Sequence, residues 1–395
     1  MKGLLTVSDR PSAETVEMLR RLVAFDTTSR NSNLDLIRDV AAYLEDLGVA
    51  SDLSYDETGG KANLYATLGP SDVPGVALSG HTDVVPVDGQ NWSSDPFTQR
   101  EHDGRLYGRG SSDMKGFLAV CLAYAPKFLA AKPKIPVHLC LSYDEEVGCL
   151  GVRKLLAELE KRPVRPRAVV VGEPTEMQVV NAHKGKLSMR AHVRGLSCHS
   201  SLAPQGVNAV EAAARLAVFL SDMGRRKAAE GPFDQGFDIP HSTAHCGVIS
   251  GGTALNIVPS ECTLDFEFRT LPQEDAKALL AEVQDRVRRE VEPLMQAVDP
   301  ATGFTWEETS AFPALDTDPD AAVVTLAKAL AQANDTYKVA FGTEAGRFSE
   351  SGIPAVVCGP GSIAQAHKPD EFIALEQLAR CERFMDRLIA HLDTA

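Results

Sequence analysis

Short apolar runs alternate with helical segments along both ends of this chain, and no other feature of the sequence restricts the fold as strongly. Four runs have the length and composition of buried strands: residues 76–78, 137–141, 168–171 and 355–358. Segments with helical spacing of apolar residues lie around them: residues 16–23, 36–47, 115–129, 152–160 and 375–391. Strands that alternate with helices are typical of an α/β sheet covered by helices. We therefore predict an α/β fold for both ends of the chain.

The middle of the chain has a different order of elements, namely strand, helix, strand, strand, helix, strand. The predicted segments are residues 186–193, 207–220, 245–249, 263–269, 274–291 and 304–308. This order is typical of a small α+β sandwich of the ferredoxin-like type. We therefore expect a domain of about residues 182–310 to be inserted into an α/β domain formed by residues 1–181 and 311–395.

The composition argues against nucleic-acid-binding and membrane proteins. The 395 residues include 54 Asp and Glu against 40 Lys and Arg, a net charge of −14, and no basic cluster offsets the repulsion from phosphate. The longest strongly apolar run, residues 117–125, is too short to span a bilayer. Residues 1–12 lack an apolar core of signal-peptide length, and the eight cysteines lack the C-x-x-C spacing of zinc and redox sites. We expect a cytoplasmic protein with free thiols and with neither a nucleic-acid nor a membrane partner.

Histidine and carboxylate residues lie directly beyond the apolar runs, where the predicted strands end. They are His81 and Asp83 after the first run, Glu145 and Glu146 after the second, Glu173 after the third and His367 after the fourth, with Asp113 immediately before a predicted helix. Functional sites of open α/β sheets form at the carboxyl ends of the strands. Imidazole and carboxylate ligands suit Zn²⁺, Co²⁺ or Mn²⁺ better than metals that prefer thiolates. Converging carboxylates repel one another, so the pattern indicates either a bound metal or carboxyl groups with raised pKa values.

Short motifs connect the chain to one enzyme family, whereas the motifs of serine hydrolases, zincins, P-loop proteins and Rossmann folds are absent from the sequence. Five segments in order resemble the M20 family of dinuclear zinc amidohydrolases and peptidases: GHTDVVPV, LYGRGSSDMKG, DEEVG, GEPT and AHKPDEF. The middle segment SCHSSLAPQGVNAVEAA resembles the inserted domain of the same family. The resemblance implies a zinc-peptidase-like catalytic domain, a dimerisation role for the inserted domain and hence a homodimer.

The resemblance also implies a role for each residue of the predicted site. Five residues would hold two Zn²⁺ ions, or Co²⁺ or Mn²⁺ in their place: Asp113 bridging both, His81 and Glu173 on one ion, Glu146 and His367 on the other. Asp83 would hydrogen-bond the second ring nitrogen of His81, which fixes the tautomer of that ligand. Glu145 would act as the general base.

Four further residues are expected to contact the substrate, a small N-acyl amino acid. By resemblance, His199 donates to the oxyanion in the site of the partner subunit, and its alternative role is to cap a local turn. Asn256 and Arg269 resemble the family's binders of the substrate carboxylate, which a planar guanidinium engages with two hydrogen bonds. A surface or inter-strand salt bridge is the alternative for Arg269. Glu344 is expected to face a substrate ammonium group, unless it pairs with Arg347.

The resemblance as a whole implies metal-dependent hydrolysis of the amide bond of a small N-acyl amino acid. Alternatives with the same chemistry are a succinyl-diaminopimelate desuccinylase, for which Arg347 would face the succinyl carboxylate, an aminoacylase and a dipeptidase. A non-catalytic metal-binding relative is another, and such a relative is expected to lack Glu145 or one of the ligands. This sequence has all of them.

Overall fold

The computed structural model describes residues 9–394, and ten α-helices lie within this range. They are α1 (Ala13–Val23), α2 (Leu34–Asp46), α3 (Lys115–Ala131), α4 (Leu150–Glu160), α5 (Ala209–Glu230), α6 (Ala276–Glu290), α7 (Glu292–Gln296), α8 (Ala322–Ala331), α9 (Ala345–Glu350) and α10 (Leu375–Thr394). Side-chain caps begin several of them. At the start of α5, Asn208 accepts hydrogen bonds from the amides of Val210 and Glu211 at 3.0 and 3.1 Å. Residues 1–8, part of the N-terminal segment interpreted above, lie outside the described residues.

The described range also contains sixteen strands in three sheets. They are β1 (Ser51–Tyr55), β2 (Ala62–Leu68), β3 (Val76–His81), β4 (Arg100–His102), β5 (Arg105–Tyr107), β6 (Val137–Ser142), β7 (Ala168–Pro174), β8 (Val180–His183), β9 (Gly185–Arg194), β10 (Thr243–Gly251), β11 (Glu261–Thr270), β12 (Gly303–Phe312), β13 (Leu315–Asp316), β14 (Tyr337–Val339), β15 (Ala355–Gly359) and β16 (Phe372–Ala374). The smallest sheet, β16-β5-β4, was not predicted, because strands of three residues are too short to show a period.

The largest sheet has the strand order β1-β2-β6-β3-β7-β15-β8-β13, and β14 also pairs with β8. Its four central strands, β6, β3, β7 and β15, run parallel to one another. Every residue of these four strands is buried, which explains why they read as continuous apolar runs in the sequence. The predicted α/β fold is confirmed, and the carboxyl ends of the parallel strands lie at one edge of the sheet.

Helix α3 packs on the parallel strands and begins directly after Asp113. The helix contacts β3 and β7, as well as α1 and α10. Phe117 in its first turn is 1% exposed and lies over Gly172 of β7, where an added Cβ atom would stand only 2.0 Å from Cγ of the ring. Glycine is therefore needed at this close approach. Burial of a side chain of this size contributes about 1.5–3 kcal/mol to folding, so the contact fixes the start of α3 against β7.

The four-stranded sheet has the order β10-β11-β9-β12, and all of its pairs are antiparallel. Burial alternates along β9 and β11, so that one face packs on the apolar residues of α5 and α6. The chain order of these elements is β9, α5, β10, β11, α6, β12, interrupted only by the short α7. This order and the sheet topology are those of the ferredoxin-like type, as predicted.

The chain divides into two compact units. One contains the chain up to Ala182, together with Leu315–Tyr337 and the chain from Thr343 onward, and the other contains His183–Ala314 and Lys338–Gly342. The segment Lys338–Gly342 was not part of the inserted domain expected from the sequence. Within the second unit, Lys338 forms an ion pair with Asp234 at 2.6 Å, which ties this late segment to residues more than a hundred positions earlier.

Two expectations from composition can be compared with the described residues. None of the helices in the described part of the chain is both long enough and apolar enough to cross a membrane. The eight cysteines are free thiols, and six of them are buried. Buried thiols of this kind behave as small apolar side chains.

Candidate metal centre

Strand ends at the carboxyl edge of the largest sheet carry four polar residues of the candidate site. His81 is the last residue of β3, Glu173 lies next to the end of β7, and Glu145 and Glu146 follow β6. Parallel pairing sets His81 opposite Ser142, the last residue of β6. The backbone ladder of the sheet thus gathers residues that are far apart in the sequence.

Asp113 lies between two histidines. Its Oδ1 is 3.1 Å from Nε2 of His81, and its Oδ2 is 3.4 Å from Nε2 of His367. Glu173 approaches the same nitrogen of His81 at 3.7 Å, whereas Glu146 lies 3.1 Å from Nε2 of His367. One carboxylate therefore faces two separate groups of donors, each with one histidine and one further glutamate.

Asp83 differs in one detail from the expected arrangement. Nδ1 of His81 donates a hydrogen bond to the backbone carbonyl of Asp83 at 2.8 Å, while the carboxylate of Asp83 lies 3.6 Å away. The carboxylate instead accepts hydrogen bonds from the amides of Glu145 and Glu146 at 3.0 and 3.3 Å and from the hydroxyl of Ser29 at 2.7 Å. The side chain thus holds the backbone of the two glutamates, a role that the sequence did not indicate.

Burial raises the pKa of the glutamates in the site. It raises the pKa of Glu145 to about 8, although the charge of His81 opposes the shift and that of Glu146 adds to it. Burial and the charge of Asp113 raise the pKa of Glu146 to about 7. The pKa of Glu173 is also well above its usual value, from burial first and from Asp113 second. The cationic side chains of the site therefore do not compensate all of its carboxylates.

The two histidines and Asp113 shift one another's pKa values. Burial acts to lower the pKa of His81, but hydrogen bonds to Asp113 and Asp83 outweigh it and leave that pKa well above the usual value. Interactions with Asp113 and then Glu146 raise the pKa of His367 to about 10. Burial acts to raise the pKa of Asp113, yet the two histidines hold it below its usual range. Positive charge on the two imidazoles therefore compensates the negative charge of Asp113.

The donor atoms of the site fit a divalent cation. Two groups of three ligand atoms lie within 4.8 Å of one another: His81, Asp113 and Glu146 in one, and His81, Glu145 and Glu173 in the other. The Oε1 atoms of Glu146 and Glu173 are buried and accept no hydrogen bond within the described residues. A buried carboxylate oxygen without a partner is costly, and a bound cation would satisfy it. Imidazole and carboxylate donors suit Zn²⁺, Co²⁺ or Mn²⁺.

Glu344 is not placed to receive a substrate cation, which corrects the expectation from the sequence. Its side chain is 0% exposed, and its two oxygens accept hydrogen bonds from the hydroxyls of Ser79 and Ser142 at 2.6 and 2.7 Å. The alternative partner, Arg347, forms an ion pair with Glu350 at 3.2 Å. The sequence suggested Glu344 as a partner for a substrate ammonium group, because nothing in FGTEAG reveals that the residue is buried against β3 and β6.

The remaining predicted residues belong to the second unit. Nδ1 of His199 accepts a hydrogen bond from the amide of Ser201 at 3.2 Å, which is the local capping role considered as its alternative. Asn256 is exposed, and its carbonyl accepts from the amide of Ser200 at 3.0 Å, so His199 and Asn256 lie close together. Arg269 forms an ion pair with Glu267 of its own strand at 3.0 Å. A direct role of these three residues in substrate binding stays a prediction.

Sequence reasoning missed three residues that support the site. Cys149 donates from Sγ to Oε1 of Glu145 at 3.3 Å, and it was read only as a small apolar residue. Arg109 and Glu371 form an ion pair at 2.8 Å in which both side chains are 1% exposed. Arg109 and Glu371 lie inside the motifs that carry the family resemblance, close in sequence to Asp113 and His367. This closeness was the signal in the sequence that could have identified them.

Comparisons with known proteins identify the family of the chain. The model of Peptidase family M20/M25/M40 matches residues 77–391. The acetylornithine deacetylase of Myxococcus xanthus is 37% identical over 382 residues, which cover 94% of this chain and 96% of that protein. The acetylornithine deacetylase of Proteus mirabilis (strain HI4320) is 35% identical over 381 residues, which cover 95% of each chain.

Solved structures share the fold at low sequence identity. The M20 family metallo-carboxypeptidase Sso-CP2 from Sulfolobus solfataricus has a TM-score of 0.78 at 19% identity, with 97% of this chain and 100% of that chain covered. The YXEP protein of Bacillus subtilis, a dinuclear metal binding peptidase from the M20 family, has a TM-score of 0.65 at 15% identity, with 96% and 98% covered. From the family match and the curated relatives together, the chain belongs to peptidase family M20/M25/M40.

Proposed function

We propose that this chain hydrolyses the amide bond of N²-acetyl-L-ornithine, with L-ornithine and acetate as products. Relatives that are 34–37% identical over nearly the whole chain and are named acetylornithine deacetylase support this substrate. Family membership and these relatives indicate a metal-dependent amidohydrolase. The observation that carries amide hydrolysis is Asp113, because its two carboxylate oxygens face two different histidines.

The proposed cofactors are two divalent ions, Zn²⁺ or in its place Co²⁺ or Mn²⁺. His81 and Glu173 would hold one ion, Glu146 and His367 the other, and Asp113 would be shared between them. When bound, such a pair lowers the pKa of water toward about 7 and supplies positive charge to a developing oxyanion. The two buried carboxylate oxygens without hydrogen bonds, on Glu146 and Glu173, support this assignment.

Glu145 is the proposed general base. As such it accepts a proton from the attacking water and then donates it to the leaving amine nitrogen of the substrate. The amide of Glu145 is held by Asp83 and its carboxylate by the thiol of Cys149, so both ends of the residue are oriented.

The second unit would complete the site and form the dimer. Arg269 and Asn256 are proposed to bind the α-carboxylate of the substrate, and His199 to donate to the oxyanion in the partner subunit. Val248 and Ile249 on the edge strand β10 are 55% and 46% exposed, which supports an association of two such units. We propose that the homodimer acts in the cytoplasm, in arginine biosynthesis.

A comparison of substrates tests the proposal. kcat/KM is to be measured side by side for acetylornithine, acetylmethionine and succinyl-diaminopimelate, with protein reconstituted with Zn²⁺ or Co²⁺. Acetylornithine is expected to give the highest value. A tenfold or greater preference for the succinyl substrate, about 1.4 kcal/mol in the transition state, would identify a desuccinylase and contradict the proposal. Arg347, the side chain considered for a succinyl carboxylate, forms an ion pair with the exposed Glu350 at 3.2 Å.

Mixing two inactive variants tests the action of His199 across the dimer. His199→Ala and Glu145→Gln chains, allowed to exchange subunits, are expected to regain activity because some hybrid sites keep both residues intact. Exchange is to be confirmed by mass spectrometry of the mixed dimers. Confirmed exchange without recovered activity would contradict a role of His199 in the partner's site.

A further inference from the structure

Glu371 is a buried carboxylate whose two oxygens accept four hydrogen bonds. Oε1 accepts from the amides of Ser112 and Asp113 at 2.9 and 3.1 Å. Oε2 accepts from the amide of Gly110 at 3.0 Å and from Nη1 of Arg109 at 2.8 Å. Three backbone amides of one short segment thus converge on one side chain, and the last of them belongs to Asp113.

Arg109 extends the same network to His367. Its Nη2 donates to Oε1 of Gln90 at 2.6 Å, and Nε2 of Gln90 donates to the backbone carbonyl of His367 at 3.0 Å. Nη1 of Arg109 also donates to the carbonyl of Lys368 at 3.3 Å. One buried ion pair therefore contacts the backbone on both sides of the candidate metal centre.

The network takes the place of a strand ladder. Asp113 and His367 lie outside the strands of the sheet, so ladder hydrogen bonds do not set their positions. The pair is buried and both of its charged groups are hydrogen-bonded, so removal of either partner leaves an uncompensated charge in the interior. The segment 108–113 and the segment 367–371 are consequently fixed to each other by Arg109 and Glu371.

We propose that Glu371, through its ion pair with Arg109, is a positioning residue that sets the distance between Asp113 and His367. Glu371 contacts the backbone of the site and none of its proposed ligand atoms. The inference rests on the proposed dinuclear site. Its consequence is that loss of the Glu371 carboxylate weakens metal binding even though every ligand is still present.

The test is Glu371→Gln, which keeps the size of the side chain but presents an NH₂ group to donors that need an acceptor. Zn²⁺ and Co²⁺ binding is to be measured by equilibrium dialysis with metal analysis, and the visible absorption spectrum of the Co²⁺ protein is to be recorded. We expect the metal affinity to fall by about 10–100-fold, the range typical of residues that orient ligands, and the Co²⁺ spectrum to change.

Glu382→Gln is the matched control. Glu382 is a buried carboxylate of the same unit, and it accepts hydrogen bonds from the amide of Ser12 at 3.0 Å and from the hydroxyls of Ser12 and Thr15. This variant is expected to lower the melting temperature while it keeps the metal affinity and the Co²⁺ spectrum of the wild type. An equal loss of metal affinity in both variants would mean a general loss of stability and would overturn the inference.

Other outcomes separate the inference from the proposed function. A wild-type protein that binds no divalent ion contradicts the dinuclear site itself. A wild type that binds two ions beside a Glu371→Gln variant of unchanged affinity overturns only the role of Glu371. If Glu371→Gln does not fold, Arg109→Lys answers the same question, because Lys keeps the charge but cannot reach Glu371 and Gln90 together. Unchanged metal affinity in folded Arg109→Lys would overturn the inference.

Discussion

The candidate metal centre combines residues from strand ends with residues from loops, and the two groups are held in different ways. His81 and Glu173 lie at the ends of buried parallel strands, so ladder hydrogen bonds and packing on both faces set their positions. Asp113 and His367 lie on loops, where a buried ion pair takes over that task. The difference teaches that a loop residue of the candidate site can be held in place when a buried polar network replaces the ladder.

The exposed fraction of the side chains separates the same two groups. The side chain of His81 is 0% exposed, whereas that of His367 is 54% exposed. Packing therefore contributes to the orientation of His81 much more than to that of His367. The backbone contact from Gln90 is accordingly a main restraint on the exposed histidine.

Removal of metal is expected to have the largest effect, because both groups of ligands are proposed to act together. Protein purified without chelator should contain up to two divalent ions per chain, and chelation should abolish activity. Added Zn²⁺ or Co²⁺ should restore it. Full activity of rigorously metal-free protein would contradict the proposed centre.

Replacement of Glu145 tests whether Glu145 and Glu146, which both follow β6, have different functions. Glu145→Gln keeps the shape but removes the base, so kcat is expected to fall by about 10²–10⁴-fold while the metal content is nearly unchanged. Glu146→Gln is the matched variant and is expected to lose metal, since Glu146 pairs with His367 at 3.1 Å. The reverse result, with metal lost only from Glu145→Gln, would exchange the two roles.

Gly172→Ala tests the packing of helix α3 on strand β7, next to Glu173. The added methyl group would collide with the ring of Phe117, and such overpacking costs about 1–3 kcal/mol. Urea denaturation should report this loss in the free energy of unfolding. Gly247→Ala is the control, because the nearest atom to its added Cβ is 3.8 Å away. Equal stability of the two variants would show that α3 moves without cost.

Measurement of the free energy of unfolding at several pH values tests the strand region separately from the candidate metal centre. Burial lowers the pKa of His138 in β6 to about 4, whereas an unfolded chain binds a proton at about 6.5. Between these values the unfolded state holds more protons, so the free energy of unfolding should fall as the pH falls from about 6.5 to 4. In His138→Gln this fall should be smaller.

The control for the titration is His102→Gln, at an exposed histidine of β4. Chemical denaturation at pH 7, 6 and 5 provides the comparison. A wild type and a His138→Gln variant with parallel pH profiles would contradict the assigned pKa of His138.

Whether a part of the molecule could be predicted from the sequence depends on the interactions that hold it in place. Strands β3, β6 and β7 were predicted because burial on both faces leaves continuous apolar runs in the sequence. Asp113 and His367 were included in the predicted site because one precedes a predicted helix and the other follows an apolar run, and the motif resemblance then implied their roles.

The sequence did not reveal which polar residues are buried or which residues they pair with. Glu344 was expected at the substrate but is buried against Ser79 and Ser142. Glu371 was read as part of a motif, although it accepts four hydrogen bonds. Such contacts join residues that are more than two hundred positions apart, and a single sequence gives no signal for a specific contact at that separation.

The link between Asp113 and Glu371 also has a consequence for the order of events during synthesis. The hydrogen-bonded atoms belong to residues 258 positions apart, and the whole second unit is encoded between them. At the usual rate of about 5–20 residues per second, a ribosome needs roughly 13–50 s to cover that interval. Throughout that time a nascent chain carries His81 and Asp113 without the residues that close the site. The inserted unit therefore has time to fold before the first unit can be completed around it.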